Sequence, residues 1–326
     1  MTLNLIEMPQ KPIHPNYAVP RDGWGRPLIV PTAGGKPRGY TRTTTFIDCI
    51  EDKSSLIDWG KRMVLVGAAK RGDLVDKARS LDPEDAAHKK TLNFLAEQAT
   101  DASGANDKRE RGTHLHNLSE LVDAGQPLPP TASPQDVEDM GAYLMETSVL
   151  TVKAMEQFVV VDELGVAGTF DRMAEYDGPG PDGEPLSGNF ICDLKTGSVE
   201  YGGLKMAAQL ACYSRGVLYD HTRFPVDVND RAAVAAFKQS VIDVREATGA
   251  YRPLPPVNQD WGIIIHLPAG RAECTLHWVD LNLGWEAAQL ALTIRGMRSK
   301  SRKALRPFAG NTGKNRAASA AQGVIK

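Results

Sequence analysis

The sequence predicts an α/β protein with a helical N-terminal region, and three observations carry that expectation. Residues 54 to 156 place apolar side chains at helical spacing. At FVVVDELGVAGTFDRMAEY the pattern changes to two β-rich runs joined by a short Glu-Leu-Gly turn. Strand-like and helical stretches then alternate to about residue 303. A chain of 326 residues suits one large domain or two smaller ones, and 42% hydrophobic with 24% charged residues is a globular composition, neither disordered nor fibrous.

The elements follow in order. Seven of the 21 prolines fall in the first 50 residues, so residues 1–39 read as an extended N-terminal arm, with order beginning near Tyr40. Leu56, Trp59, Met63 and Val66 recur near a 3.6-residue period and predict an amphipathic helix from Ser54 to about Ala69. Asp82-Pro83-Glu84 reads as an N-cap with proline at the first helical position, opening a helix to about Thr100. A polar break, DASGANDKRE, precedes a helix from Gly112 to Asp123 that Gly125 closes; Ser133-Pro134 caps a longer one reaching about Glu156. The hairpin comes next, with Asp171 near the end of its second strand. GPGPDGEPLSG is a turn or small excursion, and NFICDLKTG is a third strand. Gly202 through Tyr219 is helical, as is Asp230 to about Ala247. WGIIIHLP and CTLHWVDL form a hairpin around Pro268-Ala269-Gly270. A last helix runs from about Leu283 to Lys303, and residues 307–326 read as a disordered basic tail.

Charge and cysteine usage narrow the function classes. No apolar run approaches the roughly 18–20 residues that cross a bilayer, so no membrane partner is expected, and no basic-then-apolar leader opens the chain. Cys49, Cys192, Cys212 and Cys274 are too scattered for a disulfide framework or a zinc site, which fits free thiols in a reducing cytoplasm. The net charge is -2. After Glu286 no acidic residue remains, while Arg295, Arg298, Lys300, Arg302, Lys303 and Arg306 follow. Such a run can neutralise phosphates or simply solvate a helix end.

The chemistry gathers around the strands. Asp193 and Lys195 are two apart on the third strand and project from one face, and strand pairing can bring Asp171 beside them. Two carboxylates and a lysine among apolar strands are costly to desolvate unless a metal or partner balances the charge, and a hard cation such as Mg²⁺ favours oxygen ligands. An isolated Asp-x-Lys says little. Its weight comes from an ordered set: Gly112-Thr113-x-x-His116, Gly168-Thr169-Phe170-Asp171-Arg172, Asp193-Leu194-Lys195-Thr196-Gly197 and Gln209-x-x-x-Tyr213.

In that order the set resembles the PD-(D/E)XK nuclease superfamily, in particular its RecB-type branch of recombination and phage exonucleases, over about residues 110 to 216. The resemblance implies a restriction-endonuclease-like core, a central mixed β-sheet flanked by helices, in a single nuclease domain over residues 40–306. The helical part would lie at about 54–156 and the catalytic core at about 110–306. It implies that Asp171, Asp193, His116 and the main-chain carbonyl of Leu194 hold Mg²⁺ or Mn²⁺, and that Lys195 activates the attacking water and steadies the developing charge. The implied activity is a divalent-metal-dependent DNA exonuclease for recombination or end processing in the cytoplasm, a phage's host included, with a recombinase or single-strand annealing protein as partner. A structure-specific endonuclease with the same site and a non-catalytic DNA-end or single-strand binding protein are the alternatives. Phe170 stands where the family has its eponymous proline, no GxxxxGK[ST] loop supports a helicase, and the lone downstream Cys274 argues against an iron–sulphur cluster.

The remaining candidates keep two readings each. His114 lies about 200° around the helix from His116, so both cannot face the sheet. Glu120, one turn after His116, orients the imidazole or sits in solvent. Glu156, read as preceding the first strand, is an outer contact of the site or a helix-end charge. Gln209 and Tyr213 share a helix face, turned toward the site and DNA backbone or packed inside. Arg172 points away from Asp171 as a structural or phosphate-positioning residue, and Lys61 and Arg62 near Trp59 touch DNA or form an ordinary basic face.

Overall fold

A computed structural model describes residues 19–31, 37–220, 230–232 and 251–306. Three short strands come first: β1 (Leu28–Ile29), antiparallel to β2 (Arg38–Gly39), and β3 (Thr41–Arg42). Helices α1 (Thr43–Ile47), α2 (Ser54–Lys70), α3 (Gly72–Ala78), α4 (Ala86–Ala102), α5 (Ala105–Asp123) and α6 (Pro134–Thr147) follow. Then come β4 (Thr151–Val161), β5 (Val166–Pro179), β6 (Pro185–Lys195), helix α7 (Gly203–Ser214), β7 (Val217–Tyr219) and β8 (Tyr251–Arg252). Strands β9 (Trp261–His266) and β10 (Thr275–Asp280) and helix α8 (Leu281–Lys300) complete the described chain.

Seven strands form one sheet in the order β10-β9-β6-β5-β4-β7-β8, and β3 adds in parallel at the start of β5. Neighbours along that order are antiparallel except β6 and β9, which run parallel, so the sheet is mixed. Alternating side chains give the sheet two apolar faces, each covered by a helix pair. On one, Leu115 and Leu118 of α5 and Met140 and Tyr143 of α6 pack on Ala174, Phe190, Cys192, Leu194 and Ile263. On the other, Met206, Leu210 and Tyr213 of α7 cover Phe170, Met173, Ile191 and Ile264. Helix α8 lies behind α7 through Ala287, Ala288 and Ala291. Gly284 lets the two backbones touch, since a Cβ there would stand 2.2 Å from Ala207 O. Among the described residues no helix is long and apolar enough to cross a membrane.

Several sequence expectations are corrected. The N-terminal region is not merely an extended arm. Leu28, Ile29 and Val30 are fully buried against Val160, Ala167 and Tyr219, because a three-residue apolar run between prolines is long enough to complete a core edge. The polar stretch DASGANDKRE is almost wholly helical; only a turn at Gly104, with φ at 85°, separates α4 from α5. The N-cap of α4 is Asp85, whose carboxylate accepts from the Ala87 and His88 N–H groups, and not Asp82. Ser133 caps α6 in a reciprocal box with Asp136, yet α6 ends at Thr147 and Glu156 lies inside β4. Of the turn or small excursion read over GPGPDGEPLSG, the turn is what forms, and it is confined to residues 180–184, because β5 and β6 stay paired out to Pro179 and Pro185. Residues 217–219 leave the helix for β7 against β4. The stripe read on α2 is half wrong: Leu56 and Val66 are exposed, and α2 meets α4 through Val64, Gly67 and Ala68. The helix expected from Asp230 to Ala247 lies outside the described residues beyond Ala232, as does the tail over 307–326.

Candidate active site

The site forms where β5 and β6 part. Their register runs from Pro179 opposite Pro185 to Arg172 opposite Cys192, after which β6 continues to Lys195 paired with β9. The Asp171 carboxylate enters the slot this leaves, and its Oδ2 accepts the Leu194 N–H at 2.9 Å. The ladder on the other side is broken too. Met155 and Gln157 of β4 face Arg172 and Phe170, and between them Glu156 has φ at 51°, a left-handed conformation that costs a residue with a side chain. Phe170 packs under α7 while Arg172 turns to the α5–α6 face, so Asp171 sits at a change of side-chain parity. Asp171 is therefore mid-strand, not near the strand's end.

Five predicted residues gather around it. His116 Nδ1 of α5 lies 3.5 Å from Asp171 Oδ2. Gln209 of α7 donates to Asp193 Oδ1 at 2.9 Å, and Tyr213, buried one turn on, hydrogen-bonds Gln209. The Lys195 ammonium pairs with the buried Asp193 Oδ2. Close approach of α5 to the end of β6 aims His116 here: a Cβ on Gly112 would stand 2.8 Å from Thr196 Oγ1.

The electrostatics follow from burial and like charge. Burial raises the Asp171 carboxyl, opposed by Arg172, the Leu194 N–H and Lys195. Burial and then the nearby Asp171 charge push Asp193 up to about 6, against Lys195. Burial lowers the His116 imidazolium, with Asp193 opposing and Arg172 and Lys195 assisting. Glu120 adds negative charge from α5, favouring protonation of both His116 and Asp171.

This donor set suits a hard divalent cation: two carboxylates that repel each other and an imidazole biased to its neutral form. Among the described residues, no three His, Cys, Asp or Glu side chains already converge as a ligand cluster. The Lys195 ammonium is the cation nearest Asp193 Oδ2 in this arrangement.

Two buried ionic clusters escaped the sequence reading. Arg172, 1% exposed, donates to Asp123 Oδ2 and Ser119 Oγ and stacks over Tyr143, whose hydroxyl donates to Asp123 at 2.8 Å. It is a core residue of the α5–α6 face, so phosphate positioning does not apply to it. Arg111 bridges Asp136 and Asp139 of α6, His114 joins Asp136 at 3.1 Å, and Asp139 accepts the Gly270 and Ala272 N–H groups of the β9–β10 turn at 3.0 Å. The one local signal was Asp136-x-x-Asp139 directly after an N-cap. Lys61 pairs with Asp58 on an exposed face of α2. Searched against protein families and against curated proteins, the chain matches none.

Proposed function

We propose that this protein is a divalent-metal-dependent deoxyribonuclease with a restriction-endonuclease-like core, acting as an exonuclease in recombination or end processing. The observation that carries the reading is the meeting of Asp171, Asp193 and Lys195 at the point where β5 and β6 separate. Asp171, Asp193, His116 and the main-chain carbonyl of Leu194 would hold Mg²⁺ or Mn²⁺. Such an ion, when bound, lowers the pKa of a coordinated water and neutralises phosphate charge.

The chain's own groups do the rest. The Leu194 N–H fixes Asp171, and Gln209 fixes one oxygen of Asp193 and leaves the other toward Lys195. Lys195, half-buried on a flexible stem, is a compact charge that orients the water and balances negative charge growing on the phosphate.

The test is digestion of end-labelled linear DNA and closed circular DNA with Mg²⁺, with Mn²⁺ and with EDTA. Metal-dependent loss of the linear substrate alone, abolished in Asp171→Ala and Asp193→Ala, is expected of an exonuclease. Nicking of the circle would make the protein an endonuclease with the same site. DNA binding without cleavage under either metal would leave a binding protein.

A further inference from the structure

Beside the carboxylates, on the α7 face of the sheet, lies a mostly apolar pocket of about 330 Å³ lined by Val199, Leu204, Met206, Ile264, His277 and Leu283. Its place in the register connects it to the site. Ile264 of β9 is the parallel partner of Asp193, and His277 of β10 is the antiparallel partner of Ile264, so the pocket begins one strand, roughly 5 Å, from the Asp193 backbone. His266 is the partner of Lys195, and its ring lies 5.9 Å from that of His277, tilted by 45°. His266 is also fixed. Its Nε2 stands 3.0 Å from Gly197 O, and because a carbonyl only accepts, that nitrogen carries the proton.

We infer that this pocket receives an unpaired nucleobase next to the scissile phosphate, so that the protein acts on single-stranded or frayed DNA ends; the inference rests on the nuclease reading above. The size is at the small end of ligand pockets, which run from roughly 300 to 1,000 Å³, and suits one ring system, not a stacked pair of bases. The chemistry matches a base: aliphatic walls from Val199, Leu204 and Ile264 for its faces, and an exposed imidazole at His277 to stack on it or bond its edge. A duplex keeps its bases stacked and offers nothing to such a pocket, whereas a strand end can give up one base at little cost.

The experiment measures binding without cleavage, by fluorescence anisotropy of a labelled ten-nucleotide single strand in EDTA and in Ca²⁺. The strand is compared with versions abasic at either terminal position. Wild type is expected to bind the strand with its terminal base about tenfold more tightly than one of the abasic versions, the scale of one stacked base. His277→Ala, and Leu283→Trp, which fills the pocket from its exposed rim, should bring that ratio to about one while leaving affinity for the abasic strand and the far-UV circular dichroism unchanged. Equal wild-type affinity for all strands, or a ratio that survives both substitutions, overturns the pocket assignment and leaves the nuclease reading standing. No binding to any single strand also overturns the pocket assignment, while the nuclease reading is decided by the digestion of linear and circular DNA.

Discussion

Asp193 shows how single side chains set the site's behaviour. One oxygen is committed to Gln209, the other faces Lys195, and burial together with Asp171 raises its pKa. Gln209→Leu removes a donor from a buried carboxylate without touching the reacting centre. Turnover is expected to fall about 10- to 100-fold, the range for groups that orient a metal ligand, with a higher Mg²⁺ requirement as the signature of mispositioning; a metal-titration series of initial rates checks it. Arg172 belongs to the opposite face. Arg172→Met strands Asp123 in the core with Tyr143, and removing one member of a buried pair costs about 3–5 kcal/mol, readable in a urea denaturation midpoint. Asp193 and Lys195 were legible as a pair because strand periodicity is local and puts them on one face by spacing alone, whereas Asp171 and His116 were singled out by the resemblance. The ionic clusters were not legible, because Arg172 and Asp123 are 49 residues apart and Arg111 and Asp139 are 28 apart, and no spacing rule relates them.

At the scale of elements, what decides a boundary is competition between neighbours. Ser133 announced the start of α6 through its own side chain, but β4 claims the chain from Thr151 by pairing with β5, information held in another segment. Asp82 is a plausible cap in isolation and loses to Asp85, whose carboxylate reaches two backbone N–H groups. The Arg111–Asp136–Asp139 cluster ties α5, α6 and the β9–β10 turn together, and it has a pH signature. Burial alone would raise the Asp136 carboxyl, but the Ser133 N–H, His114, the Ser133 hydroxyl and Arg111 together hold it well below the usual carboxylate range. A depressed folded-state pKa contributes stability that is complete above the unfolded value, about 4, and drains away as pH falls toward the folded value. Asp136→Asn is therefore expected to lower stability at neutral pH and to flatten its decline between about pH 4 and pH 2, as followed by chemical denaturation at stepped pH. An unchanged acid slope would remove this cluster from the pH response.

Across the whole molecule, the sheet order explains why catalytic candidates from distant segments meet. Placing β6 between antiparallel β5 and parallel β9 keeps the end of β6 paired to β9 while it parts from β5, and at that slot α5 from one face and α7 from the other deliver His116 and Gln209. The alternation of strands and helices made the α/β class readable in the sequence. The strand order was not readable, since β9 pairs with β6 across more than 60 residues. The basic C-terminal run also acquires a structural share: Arg295 stacks over Phe46 and donates to Thr45 O at 3.4 Å, docking α8 on α1.

We propose that these residues form a metal-dependent phosphodiesterase site with Lys195 at its chemical centre. The most direct measurement is the single-turnover cleavage rate of end-labelled linear DNA in Mg²⁺ for wild type and Lys195→Ala, beside the affinity of each for the same DNA in Ca²⁺. The expected result is a rate at least about 100-fold lower in Lys195→Ala, the scale of one lost acid–base or charge-stabilising group, with affinity within about threefold of wild type. Equal cleavage rates in the two proteins, or no cleavage by wild type while DNA stays bound, would contradict it.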